Sequence, residues 1–578
     1  MATRAMRGIA ASAGIANGPV FRYALPTLTV ELRQMEESTQ EWARLNTALE
    51  QARTEVHMLF KQARQSVGAA EAAIFEAHEL FLDDPELLEM VQTSIEQKHY
   101  SADYAWQNAT QSYAAQLRAI PDEYLAARAV DLEDIAQRVL RRLQGQSEHD
   151  LLLTEPVILV ATDLTPSETV RLDTKNVRAF CTGVGSATSH VAILARALGI
   201  PAVTGLGKDL EQLQDGMQVL VDGAAGEVVL EPDQQVLDRY LLQAQKLAKQ
   251  REIALAHALE PAQTLDGLQV ELVANIGSPE QAVEALTYGA EGIGLLRTEF
   301  LFLERATPPT EEEQSALYRQ VLQTMEQRPV VVRTFDIGGD KPAAYLPMPD
   351  EMNPFLGVRG VRLALQQREV FQTQLCALLR AGVGHHLKIM VPMVASIEEL
   401  LAVREQVQQA QADLVARNLP YAENYELGIM IEVPAAALMA DLLAEHVDFF
   451  SIGTNDLAQY TLAADRTNAS LAHLSDALHP AVLRLIRMVI DAAHEHGKWV
   501  GLCGELASEP LAAPLLLGLG LDEWSMTASA IPLIKQTIRN YHSAQAHEIT
   551  QHVLASCRNA AEVRAYIRAM SEAVHVQP

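Results

Sequence analysis

Cysteine is scarce. Only Cys181, Cys376, Cys503 and Cys557 occur in 578 residues, far apart and never in a CxxC pair. That spacing excludes a zinc site built on paired thiolates and a disulfide framework, and it points to a reducing cytosol. Basic residues are also in short supply: 45 Lys and Arg stand against 74 Asp and Glu, for a net charge of −29. So acidic a chain argues against nucleic acid or an anionic membrane as main partner, and suits a small basic protein or plain solubility. No apolar run approaches the roughly 18 residues of a membrane span. The opening stretch "MATRAMRGIAASAGIANGPVFRY" lacks the long apolar centre of a signal peptide. A cytoplasmic protein without membrane insertion is expected.

What is present is ample apolar content, 49%, on a chain long enough for several domains. Residues 1–24 read as a short strand and turn, with glycine punctuation at Gly14 and Gly18. The period then becomes helical: Trp42, Leu45, Leu49, Ala52, Val56, Leu59 and Ala63 recur at alternating steps of three and four, an amphipathic seam for partner helices. Pro85 marks another helix start. Strands return at "EPVILVATDL" (155–164), followed by the capping pattern "TPSE" (165–168) and a glycine hairpin at 216–232. The division read from this is an α/β domain at 1–24 and 147–232, a helical insert at 25–146, a linker helix at 233–261 and a C-terminal domain at 262–578. In that last domain apolar runs at 270–275, 292–296, 330–334, 388–392, 428–431, 449–453, 499–502 and 523–525 alternate with helical segments. This is the pattern of a (β/α)8 barrel, with a doubly wound open sheet as the alternative.

Active sites of such barrels lie at the C-terminal strand ends. Those ends carry Arg297 ("LLRTEF"), Arg333 ("VVVRTFDIGGDKP"), Glu432 ("IMIEVP"), Asn455, Asp456 and Arg466 ("SIGTNDLAQYTLAADR") and Cys503 ("GLCGE"). Singly each has a dull reading: an arginine in a surface ion pair, a carboxylate as a helix cap, a cysteine as a small core residue. Together they suit one ligand. Three guanidinium groups and an amide match phosphate and carboxylate, two carboxylates suit Mg²⁺, and a thiol can donate a proton. Phosphoenolpyruvate meets all these requirements. Elsewhere, "GSATSHVAILARALGIPAV" (185–203) places His190 at a helix start, with Thr188 as N-cap. Unpaired N–H groups and the helix dipole favour an anion there, so the imidazole could carry a phosphoryl group. The plain reading is a helix-start histidine bonded to a neighbour.

The ordered set "ASAGIANG", "DLTPSE", "TSHVAILARALGIPAV", "GIGLLRTEFLF", "RTFDIGGDKP", "FFSIGTNDLAQYTLAADR" and "GLCGELA" covers nearly the whole chain. It resembles the Enzyme I family of the bacterial phosphoenolpyruvate:sugar phosphotransferase system. The resemblance implies a swivelling phosphohistidine α/β domain with an inserted helical bundle, followed by a (β/α)8 barrel. It implies that His190 accepts the phosphoryl group on Nε2 and passes it to a histidine of the phosphocarrier HPr, releasing pyruvate, as the first step of sugar uptake. It implies phosphoenolpyruvate binding by Arg297, Arg333, Asn455, Asp456 and Arg466, Mg²⁺ on Glu432 and Asp456, and Cys503 as proton donor. Thr169 matches a residue that hydrogen-bonds the imidazole; Thr188 and Arg359 are supporting candidates. The insert matches the domain that docks HPr, and a homodimer through the barrel is implied. One motif departs: the family's "GGRTSH" is "GSATSH" here, so Ser186 and Ala187 replace a glycine and an arginine.

Two alternatives stand beside this reading. A phosphoenolpyruvate synthase or dikinase would add a large nucleotide-binding domain, but no P-loop is visible and the helical insert leaves no room for one. A regulatory, phosphoenolpyruvate-sensing paralogue would have lost His190, Cys503 or a metal carboxylate, and all are present.

Overall fold

The computed structural model describes residues 4–23, 28, 30–66, 75, 78–119, 123–146, 153, 155–165, 167–168, 174–185, 190–303, 305, 307–339, 343, 345–346, 348, 351–465, 471, 474–480 and 481–576. The chain divides into two compact units, Met1–Leu247 and Ala248–Pro578.

The first unit holds strands β1 (Arg4–Arg7), β2 (Ile9–Ser12), β3 (Ile15–Tyr23), β4 (Val157–Ala161), β5 (Val177–Thr182), β6 (Ala202–Thr204), β7 (Gln218–Asp222) and β8 (Glu227–Leu230). Their order in the sheet is β1-β8-β7-β3-β4-β5-β6-β2. The two edge strands are consecutive in the chain, so the sheet must curl until its edges meet at Gly8. A Cβ on Gly8 would come 2.4 Å from the Thr204 carbonyl oxygen, which only glycine avoids. The opening segment is therefore three strands, not a strand and a turn. Gly18, read as punctuation, lies within β3, where an added Cβ would make only ordinary contacts.

Alternation along the strands fills both faces of the sheet. Ile158 and Val160 join Val20 and Val203 on one side; Val157, Leu159 and Ala161 join Phe180 on the other. Helix His190–Leu198 buries Val191, Ala192, Leu194 and Ala195 against that second face. The parallel neighbours β3 and β4 are connected by a helical bundle, Ser38–Ser66, Pro85–Lys98, Ala102–Ala119 and Glu123–Leu143. The seam residues Leu45, Leu49, Ala52, Val56 and Leu59 pack with Trp106 in its core. Asp84 caps the second helix by accepting from the Glu86 and Leu87 amides.

Helix Gln234–Ala256 runs across the boundary between the units. Near its start Tyr240 is buried with Leu220 and Val229. Beyond its end, Lys535 and Arg539 hold the following turn. The buried Lys535 Nζ donates to the carbonyls of Ala258 (3.0 Å) and Gly289 (2.8 Å). Arg539 donates to those of His257, Glu260 and Pro261.

The second unit is a closed barrel. After β9 (Ala262–Gln263) come β10 (Gln269–Ile276), β11 (Ile293–Leu296), β12 (Val330–Arg333), β13 (Leu387–Val391), β14 (Glu426–Ile431), β15 (Phe449–Ile452), β16 (Trp499–Leu502) and β17 (Glu523–Thr527). All eight from β10 are parallel, and β10 pairs with both β11 and β17, which closes the ring and removes the open-sheet alternative. Leu295, Val331, Met390, Met430, Phe449 and Cys503 fill the interior. At the N-terminal strand ends the Phe449 and Trp499 rings stack at 4.4 Å, with the Lys388 ammonium 3.8 Å from the Trp499 ring centre. Glu271, Glu426 and the buried Glu523 surround this floor. After Ile531–Ile538, helices Ser543–Ser556 and Ala560–Val576 form a C-terminal hairpin.

Candidate active site

The parallel register brings the strand-end residues to one face of the barrel. Arg333 closes β12, Arg297 follows β11, Glu432 follows β14 and Cys503 follows β16; Asn455 and Asp456 open helix Thr454–Leu462 after β15. Arg359 precedes helix Val361–Gln366.

The two buried arginines are fixed by carboxylates. Arg333 Nη2 donates to Glu299 Oε1 at 2.9 Å, and its Nη1 lies 3.4 Å from Asp336 Oδ2. Glu299 Oε1 also accepts from the Asp336 amide at 3.0 Å. Arg359 makes a forked contact with Asp336, Nη2 to Oδ2 at 2.9 Å and Nε to Oδ1 at 3.3 Å. Its Nη1 reaches Asp456 Oδ1 at 3.4 Å and the Tyr460 hydroxyl at 3.2 Å. The planar guanidinium carries five donors, so such pairing leaves capacity; the buried Nε of Arg333 has no hydrogen-bond partner.

Glu432 is buried beside this network. Its Oε1 accepts from the Met393 amide at 2.6 Å, while its Oε2 has no partner. Burial, then the charges of Asp456 and Asp336, push its pKa up to about 8 against the opposing arginines. Mutual repulsion between carboxylates plus an unused buried oxygen is the environment a divalent cation relieves. Among the described residues no three His, Cys, Asp or Glu side chains could hold a metal by themselves. A two-carboxylate site completed by substrate oxygens and water therefore fits better than an all-protein cage.

Cys503 is held from both sides. Its amide donates to the Ile452 carbonyl at 3.0 Å, and its carbonyl accepts from Asn275 Nδ2 at 3.1 Å. Its neighbour Gly504 has no room for a side chain: a Cβ there would come 1.8 Å from Thr454 Oγ1. The Glu505 amide donates to Asn455 Oδ1 at 3.1 Å, tying the loops after β15 and β16 together. Burial pushes the thiol up to about 11, with Glu432 adding and Arg333 and Arg297 opposing. It is a protonated thiol at neutral pH.

Arg333, Arg359, Glu432, Asn455, Asp456 and Cys503 thus converge, with Arg297 exposed on the same face. Glu299, Asp336 and Asn275 were missed by the sequence reading. The first two lay inside the motifs "LLRTEF" and "RTFDIGGDKP", and an acid two or three residues beyond a strand-end arginine was the available signal. A fourth missed residue, Gln374, bridges Thr298 Oγ1 and the Phe335 amide behind the arginine.

His190 belongs to the other unit, as the first residue of helix His190–Leu198. In the same unit the "TPSE" turn forms the expected capping box. The Thr165 amide donates to Glu168 Oε2 at 2.8 Å, and the Glu168 amide to Thr165 Oγ1 at 3.4 Å. Tyr23 donates to Glu168 Oε1 at 2.7 Å. Thr169, Thr188 and Arg466, with Ser186 and Ala187, lie outside the described residues.

Residues 251–543 match the family described as PEP-utilising enzyme, PEP-binding domain; residues 153–226 match its mobile domain and residues 7–128 its N-terminal domain. Among individual proteins, the chain is 45% identical over 543 residues to a phosphoenolpyruvate-protein phosphotransferase of Priestia megaterium, covering 94% of this chain and 95% of that one. It is 44% identical over 566 residues to the protein of the same name from Geobacillus stearothermophilus, covering 98% of each. A solution structure titled Enzyme I (nEIt) protein is 37% identical, with a TM-score of 0.37, covering 42% of this chain and 99% of that one. The chain belongs to the phosphoenolpyruvate-protein phosphotransferase family. Similarity over nearly the full length to proteins of that name sets aside the synthase and dikinase alternative. Among the described residues no helix is long and apolar enough to cross a membrane.

Proposed function

We propose that phosphoenolpyruvate binds at the barrel face and that His190 accepts its phosphoryl group, handing it to a histidine of the carrier HPr. The observation that carries this reading is the convergence of Glu432, with its unused oxygen, on Asp456, Arg333, Arg359 and Cys503. The donors left on Arg333, with Arg297, Asn455 and Arg466, bind the substrate's phosphate and carboxylate. Arg359 holds Asp336 and Asp456 in place as a supporting residue. Glu432 and Asp456 would hold Mg²⁺, which when bound neutralises phosphoryl oxygens.

Neutral His190 attacks phosphorus in line, so its Nε2–P bond forms as the bridging P–O bond breaks. The electron pair left on oxygen becomes the carbonyl of pyruvate as the methylene carbon takes a proton from the Cys503 thiol; solvent then reprotonates the thiolate. A thiol held up near 11 enters this step with its proton in place. Thr188 caps the His190 helix and Thr169 orients the imidazole. The 25–146 insert docks HPr. Because one histidine serves two partners, the α/β domain at 1–24 and 147–232 swivels, with the 233–261 helix as its hinge. The enzyme works in the cytoplasm, as a homodimer through the barrel, at the first step of sugar uptake.

The test is incubation of the full chain with labelled phosphoenolpyruvate and Mg²⁺. His190→Gln should fold and bind phosphoenolpyruvate but take no acid-labile label. Normal labelling of that variant would overturn the assignment.

A further inference from the structure

The C-terminal hairpin lies beyond the eighth barrel helix, yet it returns to the face that carries Cys503. Its lower end is tied near the barrel floor: the Ser543 amide donates to Asp266 ahead of β10, and Ser571 meets the Tyr541 hydroxyl at 2.9 Å. Its upper part presents Arg564. The guanidinium grips Asp476 with two bonds, Nε to Oδ2 at 2.9 Å and Nη2 to Oδ1 at 3.1 Å. Its Nη1 donates to Glu509 Oε1.

Those two carboxylates end the two loops that matter most. Asp476 closes the connection between helix Thr454–Leu462, which carries Asn455 and Asp456, and helix Pro480–Glu495. Arg466 lies in that connection by sequence. Asp476 also accepts from the Leu478 amide at 2.9 Å, so it shapes the turn into the second helix. Burial works against it, but the bonds from Arg564 hold the Asp476 carboxyl below its usual range. Glu509 follows Cys503, Gly504 and the helical turn Glu505–Ser508. Its carbonyl accepts from Ala512 at the start of the next helix. One planar cation thus joins the far ends of the loops after β15 and β16, whose near ends are already joined by the Glu505–Asn455 bond. Without Arg564 the two carboxylates lose the cation they share, and with it the bond between the far ends of the loops.

We propose that Arg564 is a positioning residue for phosphoryl transfer, bridging the substrate-binding loop after β15 to the proton-donor loop after β16. This rests on the reading of the barrel face given above. The two arms have different duties. The Asp476 arm sets the substrate-binding side, so its loss should act on KM. The Glu509 arm sets the Cys503 side, so its loss should act on kcat. A lysine at 564 supplies one point charge and cannot grip both carboxylates.

The test is steady-state phosphoenolpyruvate-dependent phosphoryl transfer by the full chain, with melting curves on each variant. Misplacement of reacting groups by an ångström costs up to about a hundredfold, so Arg564→Ala is expected to lose at least about tenfold in kcat/KM. Asp476→Asn should raise KM several-fold with kcat within about twofold, and Glu509→Gln the reverse. Arg564→Lys should recover more of the melting temperature than of kcat/KM. Arg564→Ala within twofold of wild type overturns the proposal. So does a set in which Asp476→Asn and Glu509→Gln move KM and kcat alike, or in which activity of all variants follows melting temperature. A wild-type chain that takes no label from phosphoenolpyruvate overturns the underlying reading itself, and the bridge with it.

Discussion

Two glutamates in the barrel are pushed to about 8 by burial, one at each end. Glu432 sits at the C-terminal face and Glu523 at the floor, and each has one buried oxygen without a partner. What surrounds them differs. Around Glu432 stand two arginines pinned by Glu299 and Asp336, a second buried carboxylate and a thiol. Around Glu523 stand Glu271, Glu426 and Asp522, opposed by one lysine that lies against Trp499. The lesson is that a perturbed carboxylate does not by itself mark a reactive site. The face has fixed cationic donors with capacity left for a ligand; the floor uses its cation to cover an aromatic plug.

The comparison breaks if the two glutamates behave alike. Glu432→Gln should cut labelling from phosphoenolpyruvate by about a hundred- to a thousandfold, the usual cost of losing one preorganised electrostatic group. Its melting temperature should hold, since the amide matches in size a carboxyl whose protonated form burial already favours. Glu523→Gln should label within twofold of wild type. Equal losses in the two variants would erase the distinction. Next in size, Arg333→Ala should weaken phosphoenolpyruvate binding by about 10- to 150-fold, the worth of a charged hydrogen bond. Binding within about twofold, measured calorimetrically on the folded variant, would take Arg333 out of the site.

A pH series sharpens the floor. Burial raises the Glu523 pKa from 4.5 to about 8 in the folded chain, so the fold favours its protonated form. Its contribution to stability is whole below about pH 4.5 and is lost as pH rises through about 8. Wild type should therefore melt lower at pH 9 than at pH 6. Glu523→Gln should melt above wild type at pH 9 and show a shallower slope. Parallel melting curves for the two proteins across that range would mean the floor does not titrate. The smallest effect belongs to Trp499→Phe. It removes the 2.8 Å bond to Glu426 and weakens the lysine contact, for about 1 kcal/mol of stability, with labelling unchanged. A large loss of labelling instead would show that floor and face are coupled.

Much of this arrangement was legible in the residues. The eight strands showed because parallel barrel strands are apolar on both sides, as in "VVVR" and "FFSI". The strand-end chemistry showed because each reactive residue follows such a run directly. Partnerships did not show. Nothing local says that Glu299 holds Arg333, or that Asn275 on β10 holds the Cys503 carbonyl. The first bond depends on the pairing of β11 with β12, and the second on barrel closure, which brings β10 close to the end of β16. Nothing in the run 523–525 announced the buried Glu523, because burial in a ring of acids has no sequence period. Gly8 was passed over for Gly18 because its constraint comes from the Thr204 carbonyl, far along the chain.

The buried ammonium of Lys535 bears on where the gene can be divided. A fragment begun at residue 262 would discard Ala258, one of the two carbonyls that accept from Lys535, and the three carbonyls that Arg539 holds. An ammonium stripped of an acceptor inside the protein must take up water or lose its proton. A fragment begun at residue 248 keeps every one of those acceptors and cuts the helix beyond Tyr240, which packs on the first unit. The turn after that helix, though it precedes the first barrel strand, therefore travels with the barrel in any dissection, fusion or domain exchange.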